Sequence, residues 1–230
     1  MQTLLLVRHG NTHWNTKHLI QGKTDIPLSI EGIKESKKLS KIIDTTKIDI
    51  CLSSPLKRTR ETAKIITNGK KKIIYTKDLI ERDFGIYEGT KVDNNLIIKL
   101  WDYELNYHEC NIESIKDCLD RAKNFLDKLK NKYPNKTILI VTHGSFIKAL
   151  HYNIIGYNNK TDFLSFNPKN TIKIWLSAKT QYLSAFSRKQ THQFTTYLLP
   201  LNEPWYASFP RYAKIWYSTS VLKQEKLNNS

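Results

Sequence analysis

Cysteine is scarce. The 230 residues hold three, Cys51, Cys110 and Cys118, odd in number and without metal-ligand spacing. That excludes a disulfide scaffold and a cysteine metal site, and unpaired thiols point to a reducing compartment, the cytoplasm. No apolar run approaches the roughly 20 residues that a membrane-spanning helix needs. The N-terminal run is only Leu4 to Val7, with no basic segment before it, so no secretory signal is expected. Acidic residues are also few: 21 against 37 basic ones, a formal net charge of +16. Such an excess attracts nucleic acid, anionic membrane surfaces or acidic substrates. Most of it is Lys scattered among Asn and Ile, as at Lys34, Lys37, Lys38, Lys41 and Lys70 to Lys72. No zinc-finger spacing, RNP-like strand or P-loop accompanies it, so a solvated face is expected and no nucleic-acid partner. Arg is the scarcer base. Arg8, Arg58, Arg60 and Arg82 fall in the first half, near the motifs below, and the guanidinium fork suits phosphate as Lys cannot.

What is there reads as alternating strands and helices. Strands are expected at 3–7, 48–52, 72–76 and 137–141. A helix of about four turns opens at Ser29. Others are expected from Pro55 to about Ile66, over 92–106 and 113–132, and from Ser145 to Ile155. Residues 11–30 read as a polar loop, and 171–176 with 182–187 as an edge hairpin. The fold class is α/β: a mainly parallel central sheet with helices on both faces. From about Phe194 the chain turns aromatic and Pro-broken. Residues 1–193 are therefore expected as one domain, and 194–230 as an extension packed on it or extending from it.

Two strand ends carry the chemistry. Leu4-Leu5-Leu6-Val7 runs into Arg8-His9-Gly10-Asn11, and Ile138-Leu139-Ile140-Val141 into Thr142-His143-Gly144. Open α/β sheets bind ligands beyond the carboxyl ends of their strands, where two such ends can meet. A neutral imidazole can attack a phosphoryl group, so His9 is the candidate nucleophile. Arg8 can bind the non-bridging oxygens and favours a neutral His9. Ser53-Ser54-Pro55 then turns into a helix whose first turn carries Arg58, and a helix N-terminus attracts anions. The leaving oxygen needs a proton; Glu81, Asp83 and Glu88 are the candidates, and spacing does not choose between them. His143 reads as a hydrogen-bond donor to the transferring group, helped by the Gly144 amide. Asn11 and Asn15 can donate amide hydrogens to phosphate oxygens, while Thr12, Thr24 and Asp25 rim the pocket. Arg and His already supply positive charge, so no metal and no cofactor are expected.

These pieces resemble the histidine phosphatase superfamily, also called phosphoglycerate mutase-like. Arg8-His9-Gly10, Ser53-Ser54-Pro55 with Arg58 and Thr62-Ala63, Leu79-x-Glu81 with Phe84-Gly85 and Glu88-Gly89, and Thr142-His143-Gly144 stand in the family's order over roughly residues 1–190. The resemblance implies a three-layer sandwich and a phosphohistidine on His9. It implies a pocket of Arg8, Arg58, His9 and His143, with Glu81 as acid/base and Asn15 and Thr24 around the phosphate. Asn11 stands where the family usually has Glu or Gln. The stretch Thr90 to Asn111 is short, with Lys91 and Lys99 and no Arg, as in the small phosphatase branch that includes α-ribazole phosphatases. The expected function is a phosphomonoesterase that takes a small phosphorylated substrate and releases inorganic phosphate. A cofactor-dependent phosphoglycerate mutase and a non-catalytic phosphate-binding or scaffold protein are the alternatives. The partners expected are the small phosphorylated substrate and, as one option, a second copy of the chain in a homodimer.

Overall fold

Leu4 to Val7 and Ile138 to Val141 are buried without exception. Such unbroken apolar runs are what a sheet covered on both faces requires, since successive side chains point to opposite sides. The computed structural model describes residues 2–168 and the backbone of 173–178 and 196–198. In it β1 (Gln2–Arg8) and β4 (Thr137–Thr142) lie parallel at the centre, in register from Thr3 opposite Thr137 to Arg8 opposite Thr142. β2 (Ile50–Ser53) pairs with β4 and β3 (Ile73–Tyr75) with β2, all parallel. On the other side of β1, β5 (Lys173–Ala178) is antiparallel, and β6 (Thr196–Leu198) is antiparallel to β5. The order is β3-β2-β4-β1-β5-β6.

Helices cover both faces, as expected. Leu4, Leu6, Ile138 and Ile140 pack against α5 (Ile115–Lys132) and α6 (Gly144–Ile155). Leu5, Val7, Leu139 and Val141 pack against α2 (Ile30–Ser40) and α3 (Lys57–Thr67). Truncating a fully buried Leu such as Leu6 to Ala would cost about 2–5 kcal/mol.

Local chemistry sets the boundaries. Ser29 caps α2 by accepting from the Gly32 amide at 3.1 Å, and Ser114 caps α5 through Asp117. α2 is shorter than expected because its C-cap is Lys41, after which Ile43 turns into the core and Ile42 into solvent. α4 (Asn94–Trp101) ends at Asp102, well before 106; Asn106 beyond it has a left-handed backbone (φ 46°). The expected loop 11–30 contains a short helix, α1 (His13–Thr16), closed by a capping box between Thr12 and Asn15. The run 182–187 lies outside the described residues, and the antiparallel neighbour of β5 on the side away from β1 is β6 at 196–198. The chain divides into two units, Met1–Leu198 and Leu199–Ser230; the residues of the second, which hold most of the expected extension, are outside the described set.

Candidate active site

The register of the sheet brings the two His-Gly ends together. Arg8 pairs with Thr142, and the His9 amide continues the ladder to the Thr142 carbonyl at 3.0 Å. The His9 and His143 rings consequently face each other with centroids 5.3 Å apart. Both are almost wholly buried. The loop after β1 can lie this close to α2 because Gly10 and Gly32 carry no side chains. A Cβ on Gly10 would stand 2.5 Å from the Gly32 carbonyl oxygen.

His9 is oriented by the backbone. Its Nδ1 lies 2.7 Å from the Gly10 carbonyl oxygen. Only a protonated Nδ1 can use that acceptor, so the neutral ring keeps its lone pair on Nε2. Burial holds its pKa well below the usual histidine value; the charges of Arg58 and Arg8 add to the effect, and the Gly10 bond opposes it.

Arg58, in the first turn of α3, is fully buried. Its Nη1 and Nη2 donate to the Thr24 and Gly22 carbonyls at 2.7 and 2.6 Å, and its Nε to Nδ1 of His143 at 3.2 Å. Burial lowers its pKa to about 10, which leaves it charged at neutral pH. The loop supplying those carbonyls is held by Glu88. Its carboxylate accepts from the Lys23, Thr24 and Phe84 amides and from the Thr24 hydroxyl. Gly22 is there because its backbone is left-handed (φ 52°) and a Cβ would overlap Glu88.

Arg8 lies on Gly144. A Cβ at Gly144 would come within 3.2 Å of the Arg8 guanidinium carbon. Arg8 Nη1 donates to the Pro168 carbonyl at 2.6 Å, and its Nε is buried without a hydrogen-bond partner among the described residues. Glu81 is 6% exposed. Its oxygens accept from the Ser145 and Phe146 amides at the start of α6, at 3.2 and 3.1 Å, and from the Arg82 amide at 2.9 Å. The segment leading to Glu81 is clamped. Thr142 donates to the Leu79 carbonyl at 2.7 Å, and Arg121 to the Asp78 and Ile80 carbonyls at 3.0 and 2.9 Å while gripping Glu113 with both ends of its fork.

Several expected contacts fall elsewhere. Asn11 donates its side-chain and backbone N–H to Glu35 on α2, so its amide fastens the loop and does not reach for phosphate. The amide and hydroxyl of Thr24 go to Glu88 and its carbonyl to Arg58, so Thr24 secures Arg58. Asp25 accepts from the first amide of α3, Lys57, at 2.6 Å, which occupies an N–H that sequence reasoning offered to an anion. Thr12 is turned to Asn15, whose Oδ1 accepts from it; that leaves the Asn15 NH2 as the end of the amide suited to a phosphate oxygen. Asp83 pairs with Lys23 at 2.9 Å. Ser54, named in the sequence only as part of the Ser-Ser-Pro turn, has its hydroxyl 2.8 Å from His143 Nε2. Arg121 and Glu113 were also missed; their nine-residue span across the start of α5 carries no motif.

The chain matches the histidine phosphatase superfamily (branch 1) over residues 4–181. It is 38% identical over 157 residues, 68% of this chain and 79% of the relative, to the uncharacterized phosphatase PhoE of Bacillus subtilis. To phosphoserine phosphatase 1 of Hydrogenobacter thermophilus it is 31% identical over 177 residues, 74% of this chain and 83% of that one. Among solved structures, a phosphoserine phosphatase mutant of Entamoeba histolytica in complex with phosphoserine superposes with a TM-score of 0.69 at 28% identity, over 77% of this chain and 91% of that one. This chain therefore belongs to the histidine phosphatase superfamily.

Proposed function

We propose that this protein hydrolyses a small phosphorylated metabolite through a phosphohistidine on His9. The observation that supports this most is a neutral His9, anchored at Nδ1, in a buried pocket that also holds Arg8 and Arg58. In the first step Nε2 of His9 bonds to phosphorus as the ester P–O bond breaks, and Glu81 gives its proton to the leaving oxygen. In the second, water attacks phosphorus, Glu81 takes the water proton, the P–N bond breaks and inorganic phosphate leaves. Arg8, Arg58 and the Asn15 amide stabilise the three equatorial oxygens, and the neutral His143, whose one N–H is directed at the Ser54 hydroxyl, accepts from Arg58 and holds that guanidinium in place. No described helix is long and apolar enough to cross a membrane, and a cytoplasmic site of action suits the unpaired thiols.

Phosphate release from a panel of phosphomonoesters tests the reading, with His9→Ala as control. Release by the wild type that disappears in the variant supports it. Isomerisation of 3-phosphoglycerate without net phosphate release would replace it by a mutase. Folded protein inert on every ester would favour a phosphate-binding scaffold.

A further inference from the structure

Residues 80–83, which carry Glu81, belong to no helix or strand. Buried backbone groups outside a ladder must find partners elsewhere. Here many of them find Arg121 and Glu113, two residues with no part in the reaction above. Arg121 Nη1 donates to the Asp78 and Ile80 carbonyls, and the second belongs to the peptide that leads into Glu81. Glu113 holds the other side. Its amide donates to the Asp83 carbonyl at 3.0 Å, its Oε2 accepts from the Asp83 amide at 3.3 Å, and its carbonyl accepts from Arg82 Nε at 2.7 Å. The two residues are joined by the guanidinium fork, whose Nε and Nη2 donate to Oε1 and Oε2 of Glu113 at 2.7 and 2.9 Å. Glu81 is thus bracketed on both sides along the chain.

The same guanidinium also reaches the carboxylate end of Glu81. Its carbon is 4.4 Å from the centre of the Phe146 ring, and the Phe146 amide donates to Glu81 Oε1 at 3.1 Å. One side chain therefore touches both the main chain that carries Glu81 and a residue that orients its carboxylate. Arg121 keeps nothing for a ligand. An arginine has five N–H donors. Two go to the carbonyls, two to Glu113, and the fifth is aimed at Cys118 Sγ at 4.0 Å. The pair is mostly buried, with side chains 23% and 14% exposed.

We propose that Arg121, clipped to Glu113, is a positioning residue for the general acid: it holds the Glu81 carboxyl where its proton can reach the leaving oxygen. The proposal rests on the phosphomonoesterase reading with Glu81 as acid/base. A planar fork fixes direction as well as distance, which an ammonium does not. Misplacing a reacting group by about 1 Å costs on the order of 10²-fold in rate.

The test compares kcat/KM for wild type, Arg121→Met and Arg121→Lys on two aryl esters. Phenyl phosphate has a basic leaving oxygen that needs a proton, and dinitrophenyl phosphate has one that departs without it. The ratio kcat/KM is read because it covers only the step in which the ester bond breaks. Arg121→Met lowers it about 10²-fold on phenyl phosphate and less than about 3-fold on dinitrophenyl phosphate, as loss of a placed proton donor implies. Arg121→Lys, which keeps the charge and loses the fork, shows the same pattern in smaller size, and carries the test if the Met variant does not fold. Equal losses on the two esters overturn the proposal, since a general loosening slows both alike. In a Glu81→Gln background Arg121→Lys should have no further effect on phenyl phosphate, because the proton it places is gone; additive losses would also overturn the assignment. Glu81→Gln that turns over phenyl phosphate like wild type would take the acid role from Glu81, and the proposal with it. Wild type that releases phosphate from neither ester would overturn the phosphatase reading on which the proposal stands.

Discussion

Arg58 Nε donates to Nδ1 of His143 at 3.2 Å, and this one bond decides the protonation of the second imidazole. With Nδ1 accepting, the ring proton sits on Nε2, 2.8 Å from the Ser54 hydroxyl. Burial, Arg58, His9 and Arg8 all oppose a second proton. His143 is a neutral donor to Ser54, and the positive charge beside it comes from the guanidinium groups.

Removing Arg58 should therefore change His9. In Arg58→Met the ring loses a cation that disfavours its protonated form, so its pKa rises toward 6.5. An NMR titration of the His9 ring would show the shift. The kcat/KM should drop about 10²- to 10³-fold, the usual cost of a lost oxyanion donor. An unmoved His9 titration would mean that burial and Arg8 set its state without Arg58.

Stability should fall on mild acidification. His9, His143 and His151 are kept neutral by the fold, His151 with a pKa lowered to about 4 by burial. The unfolded chain takes up these protons near pH 6.5. Their stabilising effect is complete above that pH and is lost as pH falls below it, at about 1.4 kcal/mol per pH unit for each ring. His151 stacks on Phe166, and its Nδ1 has no partner among the described residues. Urea unfolding of His151→Gln between pH 6.5 and 4 should show a slope flatter by one ring's share. An identical slope would show that His151 is not held neutral.

Gly144→Ala should separate activity from stability. Ala is the better helix former by up to about 1 kcal/mol, so the melting temperature should hold or rise. The new Cβ, 3.2 Å from the Arg8 guanidinium carbon, displaces the phosphate ligand, and kcat/KM should fall about 10-fold or more, since small misplacements are costly in positioned sites. Unaltered kinetics would remove Arg8 from the pocket.

Glu88 lies in a carboxylate-rich motif, but its bonds make it a positioning residue. Glu88→Ala leaves the Lys23, Thr24 and Phe84 amides unanswered, and the loop that carries the Arg58 carbonyl partners loosens. A loss of about 2–3 kcal/mol is expected, together with a raised KM. The basic limb of the pH–rate profile should keep its position. A basic limb that moves would make Glu88, in place of Glu81, the acid/base.

The sheet core and the four motifs were legible because buried parallel strands read as continuous apolar runs and because His-Gly ends recur at 9–10 and 143–144. What pairs with what was not. Asn11 and Asn15 look equivalent in sequence; only the packing of α2 shows that Glu35 claims the first and Thr12 the second. Arg121 and Ser54 act across distances in sequence that no local pattern encodes. The end of α4 was misjudged because helical periodicity continues past Asp102 although the chain turns there.

Trapping the covalent intermediate tests the central claim most directly. Rapid quench of the wild type with a turned-over phosphoester, followed by peptide mass spectrometry under non-acidic conditions, should find an acid-labile phosphoryl group on His9 alone, and none in His9→Ala. Turnover with no such adduct, or with the phosphoryl group on another residue, would contradict the account.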